Sequence, residues 1–154
     1  MAGVGLFFGY CVHKTGSLWG VIAAHCLMIL TLTLFLPAVQ RRALLAVYAF
    51  NVEISRVRDQ VSQPLPGEIR MQWWTDMLEG AGHGDTEGSP VAAELLRAIR
   101  EYRLPVGPLS RLIEERQFDL YNDPMPSMAA LEGYVTDTSS ALFSLGARTA
   151  AKPS

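Results

Sequence analysis

The segment SRVRD, residues 55 to 59, holds the side chains best suited to chemistry in this chain. Side chains four residues apart project from one face of an α-helix, so Ser55 and Asp59 are expected to be neighbours. Two carboxylates at that spacing could hold Mg²⁺, whereas a serine hydroxyl is a weak ligand. Arg56 and Arg58 disfavour a metal, although a guanidinium suits the oxygens of a phosphate group. The pattern indicates either a phosphate-contacting surface or ordinary surface partners, in which Ser55 and Arg56 contact Asp59.

A second pair of acids, Asp119 and Asp123, has the same spacing of four residues. Pro124 follows directly, and a proline cannot continue a regular helix, so a helix is expected to end here. This favours a cap or loop role for the pair over a metal site.

Composition argues against several other kinds of site. Eleven arginines and two lysines are scattered through 154 residues of net charge −2, whereas a nucleic-acid-binding protein usually carries a basic face. Cys11 and Cys26 form no CxxC motif and are expected to be buried free thiols, with a disulfide as the less favoured alternative. His13, His25 and His83 are spread out, so no zinc site is expected.

The segments that position these side chains are predicted to be helices. No Gly or Pro interrupts residues 38–61, and frequent Ala, Leu and Arg favour helix there. Steps of three or four place Leu44, Leu45, Tyr48 and Val52 on the same face as Ser55 and Asp59. Further helices are predicted over residues 67–79, with Ile69, Trp73, Met77 and Leu78 inward, from Pro90 to just before Pro105, over 107–121, and from a Ser127 cap to about residue 147.

Residues 17–36 form a nearly continuous apolar run of 20 residues. A helix of about 20 residues can span about 30 Å of hydrocarbon. Three interpretations fit the run: a membrane helix, a buried core helix, or a cleaved signal peptide. If it is a membrane helix, Arg41 and Arg42 just beyond it place the rest of the chain in the cytoplasm.

The first predicted helix carries the pattern PxxxRxAxxAxYAF, which includes Pro37, Arg41, Tyr48 and Phe50. In that order and spacing it resembles the first conserved block of the squalene/phytoene synthase family. The resemblance continues through the pair Trp73-Trp74, the segment PVAAELLRAI, the segment LIEERQFDLYNDPMPSMAALEGY and the segment TSSALFSL. Together these segments cover about residues 35–147.

The resemblance implies an all-α protein with a partial class I isoprenoid (terpenoid) synthase-type helical fold. In this family, acids on two facing helices hold Mg²⁺, which neutralises the diphosphate leaving from an allylic substrate. Carried onto this chain, the resemblance implies that Arg41, Tyr48, Ser55 and Asp59 contact a prenyl diphosphate or isoprenoid lipid. Asp59 would be the metal ligand if the protein is catalytic, and no catalytic residue is assigned.

One branch of the family fits the segment YAFNVEISRVRDQVSQPLPGEIRMQWW more closely. It resembles the synthase-like assembly factors of respiratory complex I, whose Asp-rich motif is similarly eroded. Asn51 replaces the usual cysteine, and Ser55 and Arg56 stand where two acids are expected. This implies a non-catalytic protein linked to isoprenoid binding or biosynthesis, with a protein partner in complex I assembly.

Two alternatives remain open. One is a Mg²⁺-dependent head-to-head prenyltransferase that condenses two prenyl diphosphates. The other is an inactive gene fragment, because the family's second acidic motif lies beyond the matching segment and a half-domain would expose apolar helix faces.

Three regions are predicted along the chain. Residues 1–36 form an apolar N-terminal segment that is a candidate membrane helix, and residues 17–36 would anchor it. Residues 37–148 form the partial synthase-like helical domain. Residues 149–154 form a frayed tail. The expected location is cytoplasmic, at a membrane surface.

Overall fold

The computed structural model of the chain describes residues 30, 34, 36–80, 88–121 and 123–151. The regular elements of this part are all helical, as the sequence predicts. They are α1 (Ala38–Gln60), α2 (Pro64–Glu79), α3 (Pro90–Tyr102), α4 (Gly107–Gln117), a 3₁₀ turn (Phe118–Leu120), α5 (Met128–Val135), a π-helical turn (Thr136–Ser140) and α6 (Ala141–Ala150).

Helix α1 is the central element, and its least exposed apolar residues recur at alternating steps of four and three. Residues at such steps form a single apolar stripe along a helix. The stripe, called here the inner face of α1, consists of Ala43, Val47, Phe50, Ile54 and Val57, and each is at most 1% exposed. The ring of Phe50 meets that of Trp74 on α2 edge to face, with centroids 5.1 Å apart. This stripe therefore anchors α1 in the core.

Helix α2 begins at Pro64, three residues before the predicted start at residue 67. The first residues of a helix have no intrahelical partner for their N–H groups, so a proline there removes no hydrogen bond. Pro64 and Pro66 thus open the helix instead of preceding it. Gly80 ends it in the left-handed conformation, with φ of 73°.

The inward side of α2 differs in part from the prediction. Met77 and Leu78 are buried as expected, and Trp73 is half-buried beside the buried Trp74. Ile69 is 64% exposed, so its predicted inward position is wrong. The side chain of Met71 is buried in its place.

Helix α3 has the ends that the sequence predicts. The Ser89 hydroxyl accepts a hydrogen bond from the Ala92 N–H at 3.3 Å, and Pro90 occupies the first turn. Arg103 stops the helix in the left-handed region, with φ of 49°. Leu95 and Ala98 are fully buried and face the core.

The C-terminal helices form a nearly continuous rod interrupted by the π-helical turn. Ser127 caps α5 as predicted, accepting a hydrogen bond from the Ala130 N–H at 3.1 Å. Helix α6 runs to Ala150, three residues beyond the predicted end. Thr149 is therefore fully buried in a helix, and its hydroxyl donates to the Gly146 carbonyl at 2.7 Å.

Several predicted features lie outside the described residues. These are both cysteines, all three histidines and most of the apolar run at residues 17–36. Within the described residues, no helix is both long and apolar enough to cross a membrane.

Candidate functional site

The four residues predicted to contact substrate lie along one side of α1, which is called here the outer face. Arg41, Tyr48, Ser55 and Asp59 follow one another at steps of seven, seven and four, which keeps them on one side of the helix. The five residues of the inner face lie between them in the sequence and are buried in the core. The structure therefore places these four residues on one face of α1, as their spacing predicts.

Solvent exposure varies among the residues of the outer face. Arg41, Tyr48 and Ser55 are half-buried, whereas Asp59 is exposed. Leu45 and Val52 share this side and are 52% and 47% exposed. Burial raises the pKa of the Tyr48 phenol above its ordinary value.

The helix spreads these residues over a long distance. With a rise of about 1.5 Å per residue, the eighteen-residue step from Arg41 to Asp59 corresponds to about 27 Å. Ser55 and Asp59 are separated by only about 6 Å along the axis. A single small ion could therefore touch Ser55 and Asp59 together, but a ligand that also reaches Arg41 must be long.

The chemical groups at Ser55 and Asp59 do not form the expected pair. The Ser55 hydroxyl donates to the backbone carbonyl of Val52 at 3.1 Å. Within the described part of the chain, the side chain of Asp59 makes no hydrogen bond or ion pair. The alternative in which Ser55 and Arg56 contact Asp59 is therefore not what the structure shows, and the serine bonds within its own turn instead.

These residues do not fit a magnesium site. Mg²⁺ requires near-octahedral coordination by oxygen atoms, usually with one or two carboxylates. The outer face supplies one carboxylate, from Asp59, and a hydroxyl already used within the helix. Among the described residues, no group of three or more His, Cys, Asp or Glu side chains is close enough to hold a metal ion.

Asn51 lies on the turn between Tyr48 and Ser55, and its side chain is half-buried. Its side-chain oxygen is buried and accepts no hydrogen bond from any described residue. A buried acceptor without a hydrogen-bond partner lowers the stability of the fold, so Asn51 is an unusual residue at this position. The sequence indicates Asn51 only as a departure from the family's cysteine.

A second polar cluster joins the end of α4 to α5, and the sequence does not predict it. The Tyr134 hydroxyl donates to Asp119 at 2.9 Å, and Arg116 donates to the Tyr134 oxygen at 2.7 Å. Arg116 also pairs with Asp119 at 3.1 Å. Burial, and then the hydrogen bond to Asp119, raise the pKa of Tyr134 to about 12.

This cluster decides the role of the acid pair at Asp119 and Asp123. Helix α4 ends at Gln117, so Asp119 lies in the 3₁₀ turn and Asp123 in the following loop. The two carboxylates do not share a helix face. Both acids lie in the turn and loop positions that the sequence predicts, and Asp119 forms an ion pair with Arg116 in addition.

Comparison with known proteins gives one family and one group of relatives. The family model described as squalene/phytoene synthase matches residues 30–152. The chain is similar to proteins named NADH dehydrogenase (ubiquinone) complex I, assembly factor 6, at 34% identity in Homo sapiens and 36% in Mus musculus, each over 113 residues. Each of these alignments covers 73% of this chain and 34% of the relative, so the chain spans about a third of their length.

A relative of lower identity belongs to the same named group. The Drosophila melanogaster protein named as a homolog of that assembly factor is 31% identical over 140 residues, covering 82% of this chain and 42% of its own. No solved structure matches the chain significantly.

Proposed function

This chain belongs to the squalene/phytoene synthase family, and we propose that it acts in the assembly of respiratory complex I without catalysing prenyl transfer. The relatives named above are complex I assembly factors, and they share about a third of their residues with this chain over the matched segment. The all-helical architecture is the one expected for the family. Complex I, or an intermediate in its assembly, would then be the protein partner.

The state of Ser55 is the observation that carries the non-catalytic half of this proposal. At the position where the family motif has an acid, the Ser55 hydroxyl donates a hydrogen bond to the carbonyl of Val52. The exposed Arg56 follows it, and Asp59 is the one acid that the motif retains. A single carboxylate beside a cation cannot neutralise a departing diphosphate through a metal in the way that facing acid clusters do.

Deletion of the gene in the source organism tests the assembly role. The proposal predicts that the amount of fully assembled complex I falls and that the wild-type gene restores it. Asp59→Ala should restore it equally, because the proposed role does not use this carboxylate. Asp123→Ala, which removes another exposed acid from a loop, is the matched control. Unchanged complex I after deletion, or failure of Asp59→Ala alone, would contradict the proposal.

We also propose that the outer face of α1 contacts an isoprenoid lipid or prenyl diphosphate. Its support is the alignment of Arg41, Tyr48, Ser55 and Asp59 over about 27 Å, a length that suits an extended chain better than a small ion. The exposed Leu45 and Val52 supply apolar surface along the same side. Binding of farnesyl diphosphate to the purified chain should weaken in Val52→Asp, while the control Val39→Asp should not change it.

A membrane location is proposed for the N-terminal apolar run. Its support is the sequence alone, namely 20 nearly uninterrupted apolar residues at 17–36 followed by Arg41 and Arg42. The test is sedimentation of the full chain with phospholipid vesicles. Two lysines introduced by Val21→Lys and Leu27→Lys should abolish co-sedimentation if this run enters the membrane, and leave it unchanged if another surface binds.

The second candidate function is a Mg²⁺-dependent head-to-head prenyltransferase. The observation that favours it is the placement of Ser55 and Asp59 on adjacent turns of an exposed helix face, as in the family motif. It requires a second acid-rich helix in addition to α1. Mg²⁺-dependent release of diphosphate from a prenyl diphosphate would support it and would overturn the non-catalytic proposal.

A further inference from the structure

A second concave site lies on a different part of the molecule from the outer face of α1. It is a pocket of about 220 Å³ between the start of α4, the π-helical turn and α6. Its polar lining comes from Arg111, Thr136, Asp137, Ser140, Ser144 and Arg148. None of the four predicted substrate-contacting residues of α1 lines it. It is called here the α4–α6 pocket.

The two arginines of the pocket differ in what they contact. The Arg111 Nε donates to the Asp137 carboxylate at 3.0 Å, which leaves its remaining N–H groups without a hydrogen bond to any described residue. Arg148 also lines the pocket, and no carboxylate among the described residues lies within ion-pairing distance of it. Two guanidinium groups and one carboxylate give the pocket a net positive charge.

Hydroxyl groups complete the polar lining. Ser140, Ser144 and Arg148 follow one another at steps of four and so form one stripe along the rod. Among the described residues, neither serine hydroxyl has a hydrogen-bond partner. The Thr136 hydroxyl donates to the Glu132 carbonyl at 2.7 Å and is therefore occupied. Donors of this kind, beside guanidinium groups, match the acceptor oxygens of an anion.

The π-helical turn explains how this stripe comes to face α4. Such a turn inserts one residue into an α-helix, and one residue corresponds to a rotation of about 100°. The turn therefore rotates the faces of α6 relative to those of α5. Leu142 and Leu145 are buried, while Ser140 and Ser144 remain beside the pocket. Single π-helical turns occur frequently at functional sites.

We propose that the α4–α6 pocket binds a phosphate monoester, held by the guanidinium groups of Arg111 and Arg148 and the hydroxyls of Ser140 and Ser144. Guanidinium recognises phosphate through paired hydrogen bonds, and the pocket supplies two such groups with adjoining neutral donors. Pro105 and Pro108 lie beside these groups and offer apolar surface to the carbon portion of an ester. Asp137 competes with the phosphate for Arg111 and weakens binding.

Calorimetric titration of the purified full chain tests this at constant ionic strength, with inorganic phosphate and glycerol 3-phosphate as separate probes. Arg148→Gln should lower the affinity about tenfold, the effect expected for one charge-assisted hydrogen bond. Arg100→Gln is the matched control, because it removes the same charge from an exposed position outside the pocket. Its affinity should stay within about twofold of the wild type.

Asp137→Asn gives the result that distinguishes a binding site from a structural ion pair. The proposal predicts tighter binding, because the substitution removes a negative charge and releases Arg111. Tighter binding of glycerol 3-phosphate than of inorganic phosphate would support an ester, whereas equal or weaker binding would overturn the assignment to an ester and leave a site for phosphate itself. Any of three results would overturn the proposal. The wild type and Arg148→Gln could bind with equal affinity, or Asp137→Asn could bind more weakly than the wild type. The third is that neither probe binds to a chain that circular dichroism shows to be folded.

Discussion

The inner and outer faces of α1 belong to the same 23 residues but are under opposite physical constraints. The inner face consists of five apolar side chains that are almost completely buried against α2 and the neighbouring helices. The outer face carries the four positions predicted to contact substrate, together with Leu45 and Val52, and is half-buried or exposed. Packing determines the inner face, whereas no described contact requires the residue types found at Ser55 and Asp59.

This difference explains how a family fold and an eroded motif can coexist. Replacing Phe50 would disrupt the core, so that position is constrained by stability. Replacing an acid by serine at position 55 costs the fold little, since the hydroxyl bonds back to the Val52 carbonyl. The packing that maintains the fold is therefore independent of the residue types that the family motif requires on the outer face.

The largest expected effect is on the inner face. Phe50→Ala should reduce the free energy of unfolding by about 3–5 kcal/mol, because it removes a fully buried ring and leaves a cavity beside Trp74. Urea denaturation followed by circular dichroism measures this. Val52→Ala, two residues away but 47% exposed, is the matched control and should change stability by less than about 0.5 kcal/mol. Equal losses in the two variants would remove the distinction between the faces.

An intermediate effect is expected at the cluster of Arg116, Asp119 and Tyr134. Tyr134→Phe should cost about 1–2 kcal/mol, because it deletes a hydroxyl that donates to Asp119 and accepts from Arg116. Tyr102→Phe is the control, since the Tyr102 hydroxyl makes no hydrogen bond within the described residues. Its loss should be clearly smaller.

The pH dependence of the stability that this cluster contributes follows from the direction of the Tyr134 pKa shift. The folded-state pKa of Tyr134, about 12, lies above the ordinary value of 10.0, so its stabilising contribution is complete below pH 10. That contribution is lost as the pH rises through 12. The stability difference between the wild type and Tyr134→Phe should therefore shrink between about pH 10 and 12. A constant or growing difference would show that the hydroxyl is not held as described.

The smallest effect on stability is expected on the outer face itself. Ser55→Asp should change the free energy of unfolding by less than about 0.5 kcal/mol, since it replaces one local hydrogen bond to the Val52 carbonyl with a like-charge pair with Asp59 one turn away. Because two carboxylates are then adjacent, added Mg²⁺ should raise the melting temperature of Ser55→Asp but not that of the wild type. Ser55→Asn is the control without the charge. A wild type that already responds to Mg²⁺ would contradict the assignment of the outer face as a poor metal site.

Local signals in the sequence predict much of this fold. Ser89 followed by Pro90, and Ser127, begin helices as predicted because capping and first-turn geometry depend on adjacent residues only. The shared face of Tyr48, Ser55 and Asp59 follows in the same way from helical spacing. These features need no knowledge of the rest of the molecule.

Features that depend on tertiary contacts are the ones that the sequence does not predict. Ile69 is apolar and in register with Trp73, yet it is exposed because α2 buries Met71 and Trp74 instead. The contact between Arg116 and Tyr134 joins residues 18 apart across a loop, and no periodicity indicates it. The α4–α6 pocket depends likewise on the π-helical turn, which has no simple sequence signature.

Diphosphate release is the most direct test of the central claim that the outer face of α1 is non-catalytic. The purified chain would be incubated with farnesyl or geranylgeranyl diphosphate and Mg²⁺, and its folding confirmed by circular dichroism. The expected result is no release above that of a chain-free control, for both the wild type and Asp59→Ala. Mg²⁺-dependent release by the folded wild type that disappears in Asp59→Ala would contradict the account and restore the prenyltransferase.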